Sequence, residues 1–230
     1  MSARVTRLVY TSSAATIHPL PDRLSTESDA DADPPSSWRP LYATVKIAME
    51  HEVLRAIRDG LAAVIVNPSI CLGEYDARPF SGRLLLLFAN RRCPFRLTHG
   101  VNLVYTGDVA LGHVVAAERG AIGQRYLLCA HNVTLDSFAD LVASTAGVPP
   151  PRWPAPAALQ TAAALSCEAA AALTGTEPLI CRRTLAQMRL GQRLSNEKAA
   201  RELGLPVTSL EETIRRSLAW FRQYGYNGKQ

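Results

Sequence analysis

The stretch "LAAVIVNPS" (Leu61–Ser69) gives the clearest strand signal in the chain, because it is β-branched, apolar on both faces and closed by an Asn-Pro pair. A second apolar run, "TRLVYTSS" (Thr6–Ser13), stops at paired serines and predicts another buried parallel strand. Between the two runs, Pro40 opens a helical pattern that Gly60 closes. Strand, helix and strand together predict a βαβ unit with parallel pairing and a right-handed crossover.

The rest of the chain alternates strand and helix patterns up to Gly147 and then becomes mostly helical. The proline-rich segment 148–157 between these parts predicts a linker or turn. Residues 18–40, rich in Pro, Asp and Ser, predict a long surface loop. Helix caps are predicted at three polar residues: Asp108, Thr134 and Ser209. Core packing is predicted for three aromatic residues of the last helix: Trp220, Phe221 and Tyr224.

Composition narrows the class of protein. A length of 230 residues with 47% hydrophobic content predicts one large or two small folded domains and argues against disorder. The net charge of +5 is spread over many arginines, which favours an arginine-rich surface over a nucleic-acid site. Five cysteines without CxxC spacing argue against a disulfide framework and a zinc site, and no histidine motif indicates another metal. Without a signal peptide or a long apolar segment, we expect a cytoplasmic protein with no membrane span.

Tyr42 and Lys46, in "LYATVK" (Leu41–Lys46), are the candidate chemical pair. Residues four apart on a helix lie side by side on one face. A free tyrosine loses its proton only near pH 10, but a neighbouring ammonium stabilises the phenolate. Tyr42 would then exchange a proton with a substrate hydroxyl or carbonyl. Lysine is rare in this chain, with only three examples, so its position here is informative.

Polar residues follow both strands of the predicted βαβ unit. Ser12 and Ser13 end the first strand, and Asn67-Pro68 ends the second. In a parallel sheet, ligands bind beyond the carboxyl ends of the strands, so these residues should meet at one edge. Asn67-Pro68 could also serve simply to terminate its strand.

These stretches resemble the extended short-chain dehydrogenase/reductase superfamily, also described as NAD-dependent epimerases and dehydratases. The resemblance rests on "RLVYTSSAAT", "YATVKIAMEHEVL", "VIVNPSICLGEYD" and "NLVYTGDVALGHVVAAERG". It is strongest to hopanoid-associated sugar epimerases, with dihydroflavonol-reductase-like enzymes next. It implies an α/β fold: the C-terminal half of a Rossmann-type, doubly wound parallel sheet over residues 1–130, and a small, mostly helical substrate-binding domain over residues 131–230.

The resemblance also implies roles for individual residues. Ser13, in preference to Ser12, Tyr42 and Lys46 match the catalytic positions, and Ser13 and Asn67 would contact substrate. The implied cofactor is NAD or NADP, with contacts from five residues: Tyr42, Lys46, Asn67, Pro68 and Ser69. Arg83, at a predicted helix start, either meets a substrate phosphate or is a surface arginine. The implied substrate is a nucleotide sugar or a small carbonyl compound, and a homodimer is implied by the helix that carries Tyr42.

One departure from the family pattern is large. The family opens with a strand followed by GxxGxxG, which cradles the cofactor pyrophosphate, and the 230 residues contain no such motif. The GxxG at Gly120–Gly123 follows a helix, which is the wrong context. The first strand is therefore expected at a sheet edge. Two functions stay open: an NAD(P)-dependent epimerase or reductase, and a truncated, inactive homologue that acts as a fragment or binding module.

Overall fold

The computed structural model describes residues 5–31, 41–79, 81–175, 178 and 181–226. The strands are β1 Leu8–Thr11, β2 Ala63–Pro68, β3 Ile70–Leu72, β4 Phe95–Arg96, β5 Gly100–Tyr105, β6 Arg125–Leu128, β7 His131–Thr134 and β8 Trp153–Pro154. The α-helices are α1 Leu41–Arg58, α2 Gly82–Ala89, α3 Thr106–Arg119, α4 Leu135–Ala146, α5 Ala157–Thr174, α6 Arg182–Leu190, α7 Glu197–Leu203 and α8 Leu210–Gln223. Two 3₁₀ turns span Ala14–Thr16 and Glu27–Asp31. The predicted helix start, Pro40, lies outside the described residues.

The predicted parallel pairing is confirmed. Strands β1, β2 and β6 form a three-stranded parallel sheet in the order β1-β2-β6. Thr11 pairs with Val66, and Asn67 with Leu127, so the carboxyl ends of β1 and β2 lie at the same edge of the sheet. Within the described ranges β1 pairs with β2 alone, as predicted for an edge strand, and Leu8 is 37% exposed.

A second sheet, β3-β5-β7, carries the chain out of the parallel core. β3 pairs in parallel with β5, whereas β5 pairs antiparallel with β7. This pairing crosses residue 130, where the sequence predicts the division between two domains. The segment predicted as a linker also joins a sheet, because β8 pairs with β4.

Two main apolar clusters hold these layers together. One lies among α2, α4, α8 and the β3-β5-β7 sheet and contains Phe88, Phe138 and Phe221. The other packs α3 and α7 on the parallel sheet. The predicted core role of the last helix's aromatic residues is confirmed for Phe221, which is buried, and for Trp220, which is partly buried against the same cluster. It is wrong for Tyr224, which is 58% exposed because it follows the last turn of α8.

The structure also tests the predicted helix caps and the predicted surface loop. Thr134 and Ser209 cap α4 and α8 as predicted. Asp108 does not cap α3: it lies inside the first turn, where its carboxylate accepts hydrogen bonds from Thr208 N at 2.7 Å and Thr208 Oγ1 at 2.9 Å. In the predicted surface loop, Pro21, Asp22, Arg23 and Leu24 are exposed, whereas Ser25 is fully buried and bridges to Leu194. Among the described helices, none combines the length and apolar character needed to cross a membrane.

Candidate functional site

Tyr42 and Lys46 lie one turn apart on α1, as the sequence predicts. Tyr42 is 57% exposed, and the Lys46 ammonium lies 6.0 Å from the centre of its ring. Lys46 Nζ also donates to the carbonyl oxygen of Thr11, at 3.4 Å. The ammonium therefore bridges the phenol ring and the last residue of β1.

The two serines after β1 have different surroundings. Ser12 is 4% exposed and its hydroxyl donates to Glu50 Oε2 at 2.5 Å. Ser13 is half-buried and starts the 3₁₀ turn, where its Oγ accepts from Ala15 N at 3.1 Å. Helix α1 packs against this turn. The Ser12 hydroxyl thus donates to a buried carboxylate, whereas the Ser13 hydroxyl accepts a hydrogen bond and donates none to the residues that the structure describes.

Asn67, near the end of β2, is fully buried and contacts the turn that begins at Ser13. Its Nδ2 lies 3.2 Å from Ser13 O and 3.0 Å from Thr16 Oγ1. Two buried polar atoms at this strand end, Asn67 Oδ1 and Ser69 Oγ, have no partner among the described residues. Orphaned buried polar groups are rare in proteins and call for an explanation, such as a ligand.

Three groups near this edge were not predicted from the sequence. Glu50, 2% exposed, accepts from Ser12, Asn67 and Arg125. Its signal was an acid placed four residues after Lys46. His113 Nε2 lies 2.9 Å from Thr11 Oγ1, while His113 Nδ1 donates to Val109 O.

The third unpredicted group is Tyr10, in β1, whose hydroxyl is buried without a described partner. Burial raises the pKa of Tyr10, and the nearby Glu50 and Tyr42 raise this pKa further. Tyr10 therefore keeps its proton at neutral pH and adds a neutral phenol near Glu50 and Tyr42.

Arg83 is exposed in the first turn of α2. A concavity of about 230 Å³ has an aromatic, basic and proline-rich lining: Phe88, Arg91, Cys93, Pro94, Pro149, Pro150, Pro151, Arg152 and Trp153. A wider groove of about 630 Å³ lies along α4 and the start of α8. Neither of these two concavities is lined by a predicted site residue.

Residues 1–129 match the profile of the family described as NAD dependent epimerase/dehydratase family. A candidate dihydroflavonol 4-reductase of Synechocystis sp. is 31% identical over 97% of this chain and 66% of its own length. The chain thus spans about two thirds of that relative.

Solved structures agree. The crystal structure of gox2253 superposes with a TM-score of 0.81 at 35% identity, over 96% of this chain and 67% of that one. PA4631, a nucleoside-diphosphate-sugar epimerase from Pseudomonas aeruginosa, gives a TM-score of 0.79 at 31% identity, over 97% and 68%. The profile match, the identities and the shared fold lead to one conclusion: this chain belongs to the NAD dependent epimerase/dehydratase family, within the extended short-chain dehydrogenase/reductase superfamily.

Proposed function

We propose that this protein is an NAD(P)-dependent epimerase or reductase that acts on a nucleotide sugar or a small carbonyl compound. The observation that carries the proposal is the position of Lys46 between the Tyr42 ring and Thr11 O, beside the turn that begins at Ser13. Family membership supplies the reaction class, and this juxtaposition supplies the groups that would perform it.

In the proposed mechanism the chain handles the proton. The Tyr42 hydroxyl exchanges a proton with the substrate oxygen, and the Lys46 ammonium stabilises negative charge on the phenol oxygen. The Ser13 hydroxyl donates a hydrogen bond to the same substrate oxygen and orients it. The nicotinamide, when bound, supplies or accepts the hydride.

The strand ends fit the nicotinamide half of the cofactor. Ser69 Oγ is a polar atom without a described partner at the end of β2, and Lys46 is exposed enough to reach a ribose hydroxyl. Pro68 and Tyr42 would flank the ring. Asn67 is fully buried, so its role would be to hold the Ser13 turn through the hydrogen bond from Nδ2 to Ser13 O. Its Oδ1 has no partner among the described residues.

Substrate contacts are proposed for Ser13 and Arg83, with the mostly helical region 131–230 forming the substrate side. Asn67, which the sequence also predicts as a substrate contact, is fully buried and would act only through the Ser13 turn. Arg83 is exposed and can meet a phosphate. The similarity to a nucleoside-diphosphate-sugar epimerase and to a candidate reductase supports the two substrate classes equally. We also propose a cytoplasmic homodimer that pairs through α1, where Leu41, Val45 and Met49 are exposed; light scattering in solution tests it.

A second function is favoured by one observation: the 230 residues contain no GxxGxxG to hold a pyrophosphate. The chain would then be a non-catalytic member of the family that binds a partner or ligand. Calorimetric titration with NAD and with NADP separates the two. The enzymatic proposal expects binding heat in the wild type and a weaker response in Lys46→Met, with Lys198→Met as control. Absence of heat at about 1 mM of either cofactor would favour the non-catalytic function.

A further inference from the structure

Helix α1 is anchored to the sheet by a polar side chain. The buried residues of α1 are Ala43 and Glu50. Three of its apolar residues, Leu41, Val45 and Met49, are 73%, 47% and 46% exposed. Four others are half-buried: Ile47, Val53, Leu54 and Ile57. Helices usually dock through an apolar stripe, and in α1 a fully buried carboxylate lies beside such a stripe, so the partners of Glu50 help to set the placement of α1.

The Glu50 carboxylate is held by one partner from each strand region of the parallel sheet. Ser12, directly after β1, donates to Oε2 at 2.5 Å. Asn67, in β2, donates to the same oxygen at 3.2 Å. Arg125, at the start of β6, donates to Oε1 through Nε, and this ion pair is 13% and 2% exposed. A single side chain of α1 is thereby connected to all three strands.

The same partners reach the candidate catalytic groups. Asn67 Nδ2 also lies within hydrogen-bond distance of Ser13 O and Thr16 Oγ1. Ser12 precedes Ser13 in the chain. Glu50 follows Lys46 by four residues and Tyr42 by eight, so all three lie on one side of α1. A displacement of the Glu50 carboxylate would therefore move the Ser13 turn relative to the helix that carries Tyr42 and Lys46.

We propose that Glu50 is the positioning residue of this site: its buried carboxylate fixes the distance between the helix that carries Tyr42 and Lys46 and the strand end that carries Ser13. The positioning of the Ser13 turn by Glu50 is argued from the hydrogen bonds above. The effect of Glu50 on catalysis rests on the proposed function. Glu50 touches neither substrate nor cofactor in this role.

A merely structural ion pair makes a different prediction. Replacing a buried ion pair by apolar residues of similar size often preserves or raises stability. A double variant, Glu50→Met with Arg125→Met, can therefore recover global stability without restoring hydrogen bonds to Ser12 and Asn67. Positioning and stability are separable in this variant.

The test is amide hydrogen exchange with a thermal melt on the wild type, Glu50→Gln, the Met/Met double variant and the control Glu52→Gln. Glu52 is exposed on the same helix and pairs with Arg55. The reporting amides are Thr16 N and Ile17 N, which donate to Ser13 O and Ala14 O, and Val148 N at the end of α4 is the distant reference. Glu50→Gln is expected to speed exchange at Thr16 and Ile17 by about tenfold, with Val148 unchanged. Glu52→Gln should match the wild type.

In the double variant, exchange at Thr16 and Ile17 should remain fast even where the melting temperature returns to the wild-type value. Wild-type protection of these amides in Glu50→Gln, or its full recovery in the double variant, overturns the proposal. If Glu50→Gln does not fold, Glu50→Asp, which keeps the charge but shortens the reach, replaces it with the same expected outcome.

Steady-state kinetics measure the effect of Glu50 on catalysis separately. Glu50→Gln is expected to lower kcat by about a hundredfold while KM changes little, because misplacement of the reacting groups affects the chemical step. If the wild type shows no turnover, the proposed function fails, and amide exchange still decides whether Glu50 positions the turn.

Discussion

Lys46 Nζ donates to the carbonyl oxygen of Thr11 at 3.4 Å, so a side chain of α1 contacts the final residue of β1. The same ammonium lies 6.0 Å from the centre of the Tyr42 ring. Because Ser13 follows Thr11 by two residues, this single cation connects the phenol, the strand end and the serine turn. Three predictions concern these groups, and a fourth concerns the reactivity of the cysteines.

Lys46→Met is expected to abolish nicotinamide-dependent turnover while changing the free energy of unfolding by no more than about 1 kcal/mol, because a half-exposed cation contributes little stability. Lys198→Met is the matched control. Lys198 is also half-exposed, donates to Gln124 Oε1 at 2.8 Å and lies 4.9 Å from the Tyr126 ring centre. Thermal melts should shift similarly for both variants, and only Lys46→Met should lose activity. Equal activity in the two variants would contradict the role of Lys46.

Tyr42→Phe removes one hydroxyl from a ring that is 57% exposed. Loss of a positioned acid/base group is expected to lower kcat by about 10²- to 10⁴-fold, with no measurable change in melting temperature. Tyr224→Phe, at a tyrosine that is 58% exposed at the end of α8, should leave both quantities unchanged. Steady-state kinetics and a thermal melt check this pair; full activity in Tyr42→Phe would remove Tyr42 from the mechanism.

The two neighbouring serines should respond in opposite ways. Ser12→Ala leaves the buried Glu50 carboxylate without one donor, so the free energy of unfolding should fall by about 1–3 kcal/mol. Ser13→Ala removes a partly exposed hydroxyl that caps a short turn, so stability should change by less than about 1 kcal/mol while turnover falls. Chemical denaturation and kinetics on both variants test this contrast. A larger stability loss in Ser13→Ala than in Ser12→Ala would refute it.

Thiol reactivity should divide the cysteines by burial. Burial raises the pKa of Cys71 to about 11 and that of Cys129 to about 12. A raised thiol pKa lowers the thiolate fraction at neutral pH, and the thiolate is the reactive form. Cys71 is half-buried like Cys93, Cys167 and Cys181, but its raised thiol pKa should leave the other three to react first with a disulfide reagent. Cys71 should react more slowly than these three, and the buried Cys129 should react fully only after unfolding, which peptide mapping by mass spectrometry would show.

Local sequence patterns determined the elements that carry the site. The β-branched run that became β2, the apolar run that became β1 and the four-residue spacing of Tyr42 and Lys46 all express short-range preferences of the chain. Thr134 and Ser209 were likewise recognisable as caps, because a cap is a hydrogen bond between residues two or three apart. The resemblance to the family then predicted how these elements are arranged in the fold.

Only the tertiary structure decided which polar groups are buried together. Asp108 has the sequence of a helix cap, yet its carboxylate binds Thr208, which lies a hundred residues further along the chain. Residues 148–157 have the composition of a linker, yet Trp153 and Pro154 pair with β4. Glu50 was not predicted from the sequence, because an acidic residue inside a helix is usually exposed, yet Ser12, Asn67 and Arg125 donate to its buried carboxylate. In each case the deciding contact joins residues distant in sequence, and only the packing of sheet and helices brings them within hydrogen-bond distance.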